Sequence, residues 1–327
     1  MKLVVASGTF GKHAPNVIKS LRKRFELKSV KLSNAMSDEE IAEALSGADA
    51  VLLGASGRIT RKIIGLVPTL KLIAKHGVGL DNIDLEVATE HKIPIVYCRH
   101  TMQEISVAEH TMALLLAAAR HVAKGNEYVK SGKWKERPKL IGCELYGKTL
   151  GIIGLGAIGR RVAQIAKRGF EMNVVAYDPY VPDKVFRELG VKSEGLNALL
   201  QTSDVITIHV PLTKETRNLI DAERLEKIKR GAIVINTSRG AVVDEEALAE
   251  KVKEGRIKAA ALDVMRLEPP ELDNPLLKME EVIITPHVAM YTTEALTRMD
   301  NALAEDILRF FNGERPLRVA NPEVFNP

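Results

Sequence analysis

Residues 149–163 read TLGIIGLGAIGRRVA, and this stretch decides the fold of the second half of the chain. The apolar run at its start predicts a buried strand, and the amphipathic residues at its end predict a helix. Between them stand Gly154, Gly156 and Gly159, in the spacing G-x-G-x-x-G. Glycines in this context allow a tight turn, a close approach of the backbone to a bound group, and close packing of helix on strand. The stretch therefore predicts the first strand–turn–helix unit of a parallel α/β sheet.

The glycine pattern belongs to a longer alternation of apolar strands and amphipathic helices. Such alternation is typical of parallel sheets with helical crossovers. From residue 149 onward it predicts six strands, the number in a full dinucleotide-binding domain. Their predicted bounds are 149–153, 173–177, 204–209, 232–236, 259–263 and 282–285.

A smaller α/β unit precedes this series. Its strands are predicted at 2–6, 28–32, 50–53, 72–74 and 95–96, and a capping box of Ser37 and Glu40 begins one helix. A long helix is predicted at 106–130, and a last one, at about 292–312, is expected to return to the first unit. We therefore expect an α/β protein of two doubly wound parallel-sheet domains. A Rossmann domain at 99–286, beginning with the long helix, is inserted into a discontinuous flavodoxin-like substrate domain at 1–98 and 287–327.

The composition excludes several classes of protein. The chain has 327 residues, too many for one ordinary core, and only 4% are aromatic, which disfavours a nucleic-acid platform of stacked rings. Its two cysteines, Cys98 and Cys143, have no metal-ligand spacing and suit a reducing compartment. No apolar run approaches the roughly 20 residues of a membrane span. We expect a cytoplasmic protein without metal, nucleic-acid partner or membrane partner.

The glycine turn predicts a dinucleotide cofactor. A helix N-terminus after such a turn offers free N–H groups and partial positive charge to phosphates. Asp178 stands 19 positions after Gly159, at the end of the next predicted strand. A carboxylate there binds ribose hydroxyls and repels a 2′-phosphate, and Pro179 and Tyr180 follow it rather than a basic residue. The cofactor is therefore predicted to be NAD rather than NADP.

Polar side chains follow the later predicted strands, at the edge where parallel sheets bind ligands. Arg239 follows the strand at 232–236, Glu268 comes shortly after Asp263, and His287 follows the last strand. A guanidinium can bind a carboxylate in a bidentate manner and polarise a keto oxygen. A histidine can donate a proton as hydride arrives, and a carboxylate beside it favours its charged form. These are the groups that reduction of a 2-keto acid requires.

At these residues the chain resembles the D-isomer-specific 2-hydroxyacid dehydrogenase family, and the resemblance covers essentially the whole chain. The residues that carry it are Gly154–Gly159, Asp178, 236–240, 242–245, Asp263, Glu268-Pro269 and Pro286-His287. It implies that Arg239 binds the substrate, that His287 exchanges the proton, and that Glu268 tunes His287. Formate dehydrogenases of the same superfamily carry Gln at the Glu268 position, so that activity is disfavoured.

The resemblance also implies which residues bind the cofactor. Asp263 would hold the nicotinamide carboxamide, and further contacts would come from the glycine turn and from the strand ends. Besides Asp263, the implied cofactor residues are Gly154, Gly156, Ala157, Ile158, Gly159, Asp178, Val210, Thr216, Thr237, Arg239 and His287.

The substrate is predicted from the segment after the fourth strand. Gly77, Val78 and Gly79 expose backbone N–H groups that can bind a carboxylate. Within the family the segment is most similar to the phosphoglycerate dehydrogenase subgroup, which implies that Lys75 and Arg137 serve a phosphate. The predicted substrate residues are Lys75, Gly77, Val78, Gly79, Gln103, Arg137 and Arg239. The first candidate reaction is D-3-phosphoglycerate to 3-phosphohydroxypyruvate. However, the chain has Gln103 where the subgroup usually has Asn, and Gly54 where it usually has Arg.

Several alternatives stay open. A glyoxylate or hydroxypyruvate reductase, or a D-lactate-type dehydrogenase, would use the same hydride chemistry on an unphosphorylated acid. An NAD-sensing binding protein is the alternative from another class. The Ala/Leu-rich helix at 106–130 and the arm at Trp134 predict a homodimer, because such a surface needs burial. Since the sequence stops at Pro327, we expect no serine-type regulatory site.

Overall fold

A computed structural model describes residues 1–326 and contains two compact units. Unit 1 consists of Met1–Gln103 and Tyr291–Pro327, and unit 2 of Glu104–Met290. The boundaries expected from sequence, after residues 98 and 286, lie a few residues earlier. The loop before Gln103 remains with unit 1 because Arg298 Nε donates to the Thr101 carbonyl oxygen at 2.9 Å.

Unit 1 is built on a five-stranded parallel sheet in the order β2-β1-β3-β4-β5. The strands are β1 Lys2–Ala6, β2 Glu26–Ser29, β3 Ala50–Leu53, β4 Leu72–Lys75 and β5 Ile95–Tyr97. The helices are α1 Pro15–Arg22, α2 Asp38–Ala44, α3 Arg61–Leu66, α4 Leu85–Glu90 and, near the end of the chain, α12 Thr293–Phe311. The fully buried strands β3 and β4 form the centre of its core. The capping box of Ser37 and Glu40 is present, as predicted.

Unit 2 is built on a seven-stranded parallel sheet in the order β12-β11-β10-β9-β6-β7-β8. The strands are β6 Thr149–Ile153, β7 Asn173–Tyr177, β8 Lys192–Ser193, β9 Val205–Ile208, β10 Ala232–Asn236, β11 Ile257–Leu262 and β12 Val282–Ile284. The helices are α5 Gln103–Arg120, which begins on the last residue of unit 1, α6 Val122–Lys130, α7 Ala157–Gly169, α8 Asp183–Leu189, α9 Leu196–Thr202, α10 Ala222–Lys227 and α11 Glu245–Lys253. Apolar clusters lie on both faces of the sheet, as in a doubly wound fold. The predicted fold class is confirmed.

Two strands differ from expectation. The sequence predicts six strands in the second series, and the structure adds β8, whose two residues are both exposed and carry no apolar signal. Strand β2 is predicted at 28–32 but occupies Glu26–Ser29. It is an edge strand whose residues are mostly exposed, so no run of apolar residues marks its ends in the sequence.

The long helix predicted at 106–130 is two helices, and this prediction is wrong. The break lies at His121, which adopts a left-handed conformation with φ of 52°. The backbone N–H of Cys143 donates to the carbonyl oxygen of Ala119 at 2.9 Å, near the end of α5. Gly142 allows this approach, because a Cβ there would lie 2.2 Å from the same oxygen. The contact is tertiary, and the local pattern of apolar residues does not reveal it.

Within residues 1–326, no helix combines the length and the apolar character that a membrane span requires.

Candidate active site

The turn between β6 and α7 contains the three glycines of the pattern, and two of them, Gly154 and Gly159, are required by the fold. Gly154 has φ of +95°, and a Cβ there would lie 2.7 Å from the His209 carbonyl oxygen. At Gly159 a Cβ would lie 2.1 Å from the Gly154 carbonyl oxygen, so glycine permits the close packing of α7 on β6. A Cβ at Gly156 would meet no atom within 4 Å. This second glycine of the pattern is the N-cap of α7, so its open side leaves the helix N-terminus accessible to a bound group.

Asp178 follows β7 and is tied to this turn. Its Oδ2 accepts the backbone N–H of Leu155 at 2.8 Å, and its Oδ1 accepts the N–H of Tyr180 at 3.0 Å. An ionised carboxylate offers about four acceptor positions. The two backbone bonds therefore fix its orientation and leave acceptor capacity for two hydroxyl groups. With the open helix N-terminus beside it, this donor and acceptor set fits the pyrophosphate and ribose of a dinucleotide.

Arg239 lies just after β10, in a turn that Asn236 organises. The Asn236 side-chain amide donates to the Arg239 carbonyl oxygen at 2.9 Å, and its Oδ1 accepts the Ser238 hydroxyl at 2.8 Å. Arg239 itself donates from Nη1 to the Ser238 carbonyl oxygen at 2.7 Å. Gly240 is needed next, because a Cβ there would lie 2.0 Å from the Met265 carbonyl carbon. The backbone of Arg239 is thus held from both sides.

Glu268 and His287 form a pair at the end of β12. His287 Nδ1 lies 2.7 Å from Glu268 Oε2. The other carboxylate oxygen, Oε1, accepts the backbone N–H of Met265 at 3.0 Å. Each of the two side chains is about one-third exposed, so the pair is accessible as well as oriented. The structure therefore places an accessible imidazole whose Nδ1 is fixed by a carboxylate, in the same unit as Arg239.

Asp263 is buried just after β11 and surrounded by hydrogen-bond donors. Its carboxylate accepts the Thr285 hydroxyl at 2.6 Å and the N–H groups of Val288 and Ala289 at 2.9 and 2.8 Å. His110, on α5, lies 3.5 Å from it and 3.1 Å from the Thr285 hydroxyl. Sequence reasoning assigns Asp263 to the nicotinamide carboxamide and overlooks this task. Its contacts hold the segment that carries His287.

The pKa values of two side chains, Asp263 and His209, are lowered from their ordinary values. Burial by itself would raise the pKa of Asp263, but the hydrogen bonds from His110, Thr285 and the two backbone N–H groups outweigh it and lower that pKa. Burial lowers the pKa of His209 to about 3. The His209 residue keeps some exposed surface, but its Nδ1 atom is buried and has no hydrogen-bond partner within residues 1–326. Its Nε2 lies 2.9 Å from the Thr207 hydroxyl.

The other predicted cofactor residues lie in the loops after β9 and β10 and at the start of α7. Thr237 is buried, with its hydroxyl 2.9 Å from that of Thr111. Thr216 donates to the Pro211 carbonyl oxygen at 2.6 Å and accepts the Thr213 N–H at 2.7 Å, so it shapes the loop. Val210 is half-buried after β9, while Ala157 and Ile158 begin α7. Their contacts with a cofactor stay predictions.

The predicted substrate residues are divided between the two units, with Arg137 and Arg239 in unit 2 and the others in unit 1. Lys75 is only 6% exposed, and its ammonium donates to the Gly54 carbonyl oxygen at 2.6 Å and to Asn82 Oδ1 at 2.7 Å. Gln103 Oε1 accepts the Thr101 hydroxyl at 2.6 Å. Arg137 is exposed in a short 3-10 helix of unit 2, Trp134–Leu140. The geometry of Lys75 therefore does not support its predicted role toward a phosphate.

The loop after β4 contains the predicted carboxylate-binding glycines. The N–H of Gly77 donates to the Lys75 carbonyl oxygen at 3.0 Å, so it closes the turn and is not presented to a ligand. Val78 is 38% exposed and Gly79 is half-buried. Anion binding by the backbone of these two residues stays a prediction.

Three residues of this site were not singled out from the sequence. From the sequence, Asn236 stands only within the family pattern at 236–240, Thr285 is only the last residue of a predicted strand, and His110 has no predicted role. Their hydrogen bonds join residues as far apart as His110 and Thr285 in the sequence. A single sequence gives no signal for such pairs beyond the position of Thr285 directly before Pro286 and His287.

Comparisons with known proteins agree with this geometry. A family model described as D-isomer specific 2-hydroxyacid dehydrogenase, NAD binding domain, matches residues 112–289. The D-3-phosphoglycerate dehydrogenase of Methanocaldococcus jannaschii is 44% identical over 297 residues, which are 90% of this chain and 56% of that protein. The glyoxylate reductase of Korarchaeum cryptofilum is 40% identical over 310 residues, 94% of this chain and 93% of that protein.

A solved structure shares the fold over nearly the whole chain. The D-lactate dehydrogenase of Aquifex aeolicus, complexed with NAD and lactic acid, matches with a TM-score of 0.84 and 30% identity, covering 99% of this chain and 97% of that one. By contrast, the chain spans only 56% and 53% of the length of two D-3-phosphoglycerate dehydrogenases that it matches.

Proposed function

The chain belongs to the D-isomer-specific 2-hydroxyacid dehydrogenase family, and we propose that it transfers a hydride between NAD and the pair of a D-2-hydroxy acid and its 2-keto acid. The observation that carries the proposal is the contact of 2.7 Å between His287 Nδ1 and Glu268 Oε2, at the end of β12. Arg239 follows β10 in the same sheet. Parallel strands bind ligands at their carboxyl ends, where these three side chains arise.

In the reductive direction, each residue has a defined task. The Arg239 guanidinium binds the substrate carboxylate through two parallel N–H groups and polarises the keto oxygen. His287 gives that oxygen a proton from Nε2, because its Nδ1 faces Glu268. Glu268 fixes the ring orientation and stabilises the charged form of the imidazole. The cofactor, when bound as NADH, would supply the hydride to the keto carbon. In the oxidative direction His287 takes the proton back.

The choice of NAD over NADP rests on Asp178. Its carboxylate is held by the Leu155 and Tyr180 N–H groups, so it cannot turn aside for a 2′-phosphate without losing both hydrogen bonds. A fixed negative charge at this place accepts the ribose hydroxyls and repels a phosphate. The glycine turn and the N-terminus of α7 would hold the pyrophosphate.

Two substrates compete within this reaction. D-3-phosphoglycerate, the first candidate from the sequence, is favoured by the relatives of 44% and 45% identity that are D-3-phosphoglycerate dehydrogenases. An unphosphorylated acid, such as glyoxylate or hydroxypyruvate, is favoured by Lys75. Its ammonium, the expected phosphate ligand, is buried and bonded to Gly54 and Asn82. We propose the unphosphorylated acid, because of this contact.

The experiment that tests the proposal is a substrate survey. Initial rates of NADH oxidation by the purified protein would be measured with 3-phosphohydroxypyruvate, hydroxypyruvate, glyoxylate, pyruvate and 2-oxoglutarate. Faster turnover of an unphosphorylated acid supports the proposed substrate, and preference for 3-phosphohydroxypyruvate would restore the phosphate site. No turnover of any acid, with NADH still bound, would favour an NAD-sensing protein instead.

We also propose that the chain forms a homodimer in the cytoplasm. Large apolar side chains are exposed on and after α6: Val122 at 58%, Val129 at 54%, Trp134 at 62% and Ile141 at 78%. An apolar surface of this kind is commonly buried against a second copy of the chain. The proposed cytoplasmic location rests on a separate observation, the two unpaired cysteines, which suit a reducing compartment. Light scattering of the purified protein tests the dimer, since a monomer at micromolar concentration would contradict it.

A further inference from the structure

Glu245 is part of the family pattern at 242–245, but the proposed reaction gives it no task. It is the first residue of α11, and its neighbour Asp244 caps the helix by accepting the Ala247 N–H at 3.1 Å. An acidic residue in the first turn of a helix is common, because the positive end of the helix dipole attracts it. That attraction does not fix the direction of the side chain. In Glu245 both carboxylate oxygens accept hydrogen bonds from a loop more than 20 positions further along the chain.

This loop follows β11 and includes Glu268. Glu245 Oε1 accepts the backbone N–H of Arg266, and Glu245 Oε2 accepts the side-chain amide of Asn274 at 3.1 Å. These two partners stand at the two ends of residues 266–274, which we call the Glu268 loop. One carboxylate therefore joins both ends of the loop, and Glu268 lies between them.

The Glu268 loop has little packing of its own. It contains no helix or strand, its residues are exposed or half-buried, and Leu272 is 90% exposed. Within it, the Asn274 N–H donates to the Glu271 carbonyl oxygen at 3.1 Å, a bond that spans only three residues. A segment with few buried apolar contacts opens easily unless hydrogen bonds hold it. The two bonds to Glu245 are therefore expected to determine much of the position of the loop.

Glu245 binds the N–H group next to the one that Glu268 binds. The Met265 N–H donates to Glu268 Oε1 at 3.0 Å, and the following N–H, that of Arg266, donates to Glu245 Oε1. The peptide group between Met265 and Arg266 packs on Gly240, where a Cβ would lie 2.2 Å from the Arg266 nitrogen. This peptide group is thus fixed by a carboxylate and by a close backbone contact. The direction of the Met265 N–H is fixed with it, and so is the carboxylate of Glu268 that accepts this group.

We propose that Glu245 is a positioning residue that fixes the Glu268 loop and thereby the contact between Glu268 and His287. Glu268 Oε2 lies 2.7 Å from His287 Nδ1, so a small shift of the loop would lengthen this hydrogen bond. The turn that contains Arg239 is held separately, by the side-chain amide of Asn236. Loss of Glu245 therefore weakens proton transfer at His287 more than it weakens binding of the substrate carboxylate. This inference rests on the proposed function and adds one residue to its machinery.

The first test is kinetic. The kcat and KM of the fastest 2-keto acid, with NADH, would be measured for the wild type, Glu245→Ala, Glu245→Gln and Glu246→Gln. We expect Glu245→Ala to lower kcat about 10–100-fold, since a displacement of about 1 Å can have that effect, and to change KM less than about threefold. Glutamine keeps one oxygen that can accept an N–H, so Glu245→Gln should lie between Glu245→Ala and the wild type. The matched control is Glu246→Gln, at an exposed position in the same helical turn, and it should change neither value.

A double-mutant cycle with Glu268→Gln separates positioning from a general loss of structure. If Glu245 acts through Glu268, then Glu245→Ala should lower kcat less than about twofold once residue 268 is glutamine. Equal losses of kcat in the two backgrounds would overturn the inference, because the effect of Glu245 would then reach the site by another route.

Amide hydrogen exchange, followed by NMR, tests the same contacts without turnover. Glu245→Ala should raise the exchange rates of the Arg266 and Met265 N–H groups by about tenfold or more, relative to the Leu248 N–H inside α11. Unchanged exchange at Met265 would overturn the inference, since the contact of its N–H with Glu268 would then be independent of Glu245. If the wild type reduces no 2-keto acid, the proposed function fails, and the exchange rates still decide whether Glu245 fixes Glu268.

Discussion

The backbone N–H of His287 donates to the carbonyl oxygen of Asp263 at 2.8 Å, and His287 adopts a left-handed φ of 54°. The Asp263 carboxylate then accepts the N–H groups of the next two residues, Val288 and Ala289. A residue other than glycine in this region needs surrounding contacts to hold it there. Asp263 supplies those contacts and so determines where the imidazole of His287 lies.

The hydroxyl of Thr285 can be removed from this arrangement with little change in the shape of the side chain. Thr285→Val keeps the shape of the side chain but deletes the donor to Asp263 and the contact with His110. We expect kcat to fall roughly tenfold, because a loosened His287 segment spends less time in the productive geometry. KM should change less than kcat. Steady-state kinetics check this, and an unchanged kcat would show that the backbone bonds to Asp263 suffice.

His287 itself is predicted to carry the proton. His287→Gln keeps a polar side chain of similar reach but cannot exchange a proton, so kcat should fall by about 10²–10⁴, the usual contribution of general acid–base catalysis. NADH binding, followed by its fluorescence, should persist, because the glycine turn and Asp178 are untouched. Turnover within tenfold of the wild type would remove His287 from its assigned role.

Arg239 is predicted to act through the bidentate hydrogen bonds of its guanidinium and not through its positive charge alone. Arg239→Lys keeps the positive charge but offers a compact ammonium, which cannot bind a carboxylate and polarise a keto oxygen together. The value of kcat/KM for the best 2-keto acid should fall by about 10²-fold or more, as for loss of a charge-assisted bidentate contact. Arg266→Lys, at an exposed neighbouring position, is the matched control. Equal activity of Arg239→Lys and the control would contradict the proposed role.

Asp178 is predicted to select NADH. Asp178→Ala removes the carboxylate that accepts the Leu155 and Tyr180 N–H groups. With the negative charge gone, NADPH should gain relative to NADH, and the ratio of their kcat/KM values should change about tenfold or more. The ratio is the informative quantity, since a general disturbance of the turn lowers both values together. An unchanged ratio would show that another group recognises the ribose.

Much of the fold can be predicted from the sequence because the central strands are continuous apolar runs. Lys2–Ala6 and Ala50–Leu53 have the predicted bounds, since each is packed on both faces and carries no competing signal. The division at His121 lies beside the hydrogen bond from the Cys143 N–H to the Ala119 carbonyl oxygen, a pairing between residues distant in the sequence. Local periodicity does not encode such a pairing, so one long helix was expected.

The candidate site also has residues that the sequence predicts and residues that it does not. The glycine turn, Arg239, Glu268 and His287 follow from residue types at strand ends, because parallel topology brings those ends to one edge. The direction in which a long side chain points does not follow from its residue type or from its place at a strand end. Lys75 was expected to face a ligand, but two acceptors inside unit 1, Gly54 and Asn82, bind its ammonium.

His209 predicts how the stability of the protein depends on pH. Burial lowers its folded-state pKa to about 3, against roughly 6.5 in an unfolded chain. From pH 6.5 down to about 3 the unfolded chain therefore binds the extra proton, and the free energy of unfolding falls as the pH falls. Between pH 6.5 and pH 5 the loss from this one group is about 1.6 kcal/mol, because the slope is half of about 1.4 kcal/mol per pH unit at pH 6.5 and approaches that value by pH 5.

The variant His209→Gln isolates this contribution. Glutamine keeps a polar atom that can reach the Thr207 hydroxyl but does not titrate. The unfolding free energy of the variant should therefore decline less than that of the wild type, by about 1.6 kcal/mol over the same interval. Urea unfolding of both proteins at pH 6.5 and pH 5 measures the two slopes, and a lower absolute stability of the variant does not affect their comparison. Parallel slopes would mean that His209 is hydrated in the folded protein, since only exclusion of water holds its imidazole neutral at pH 5.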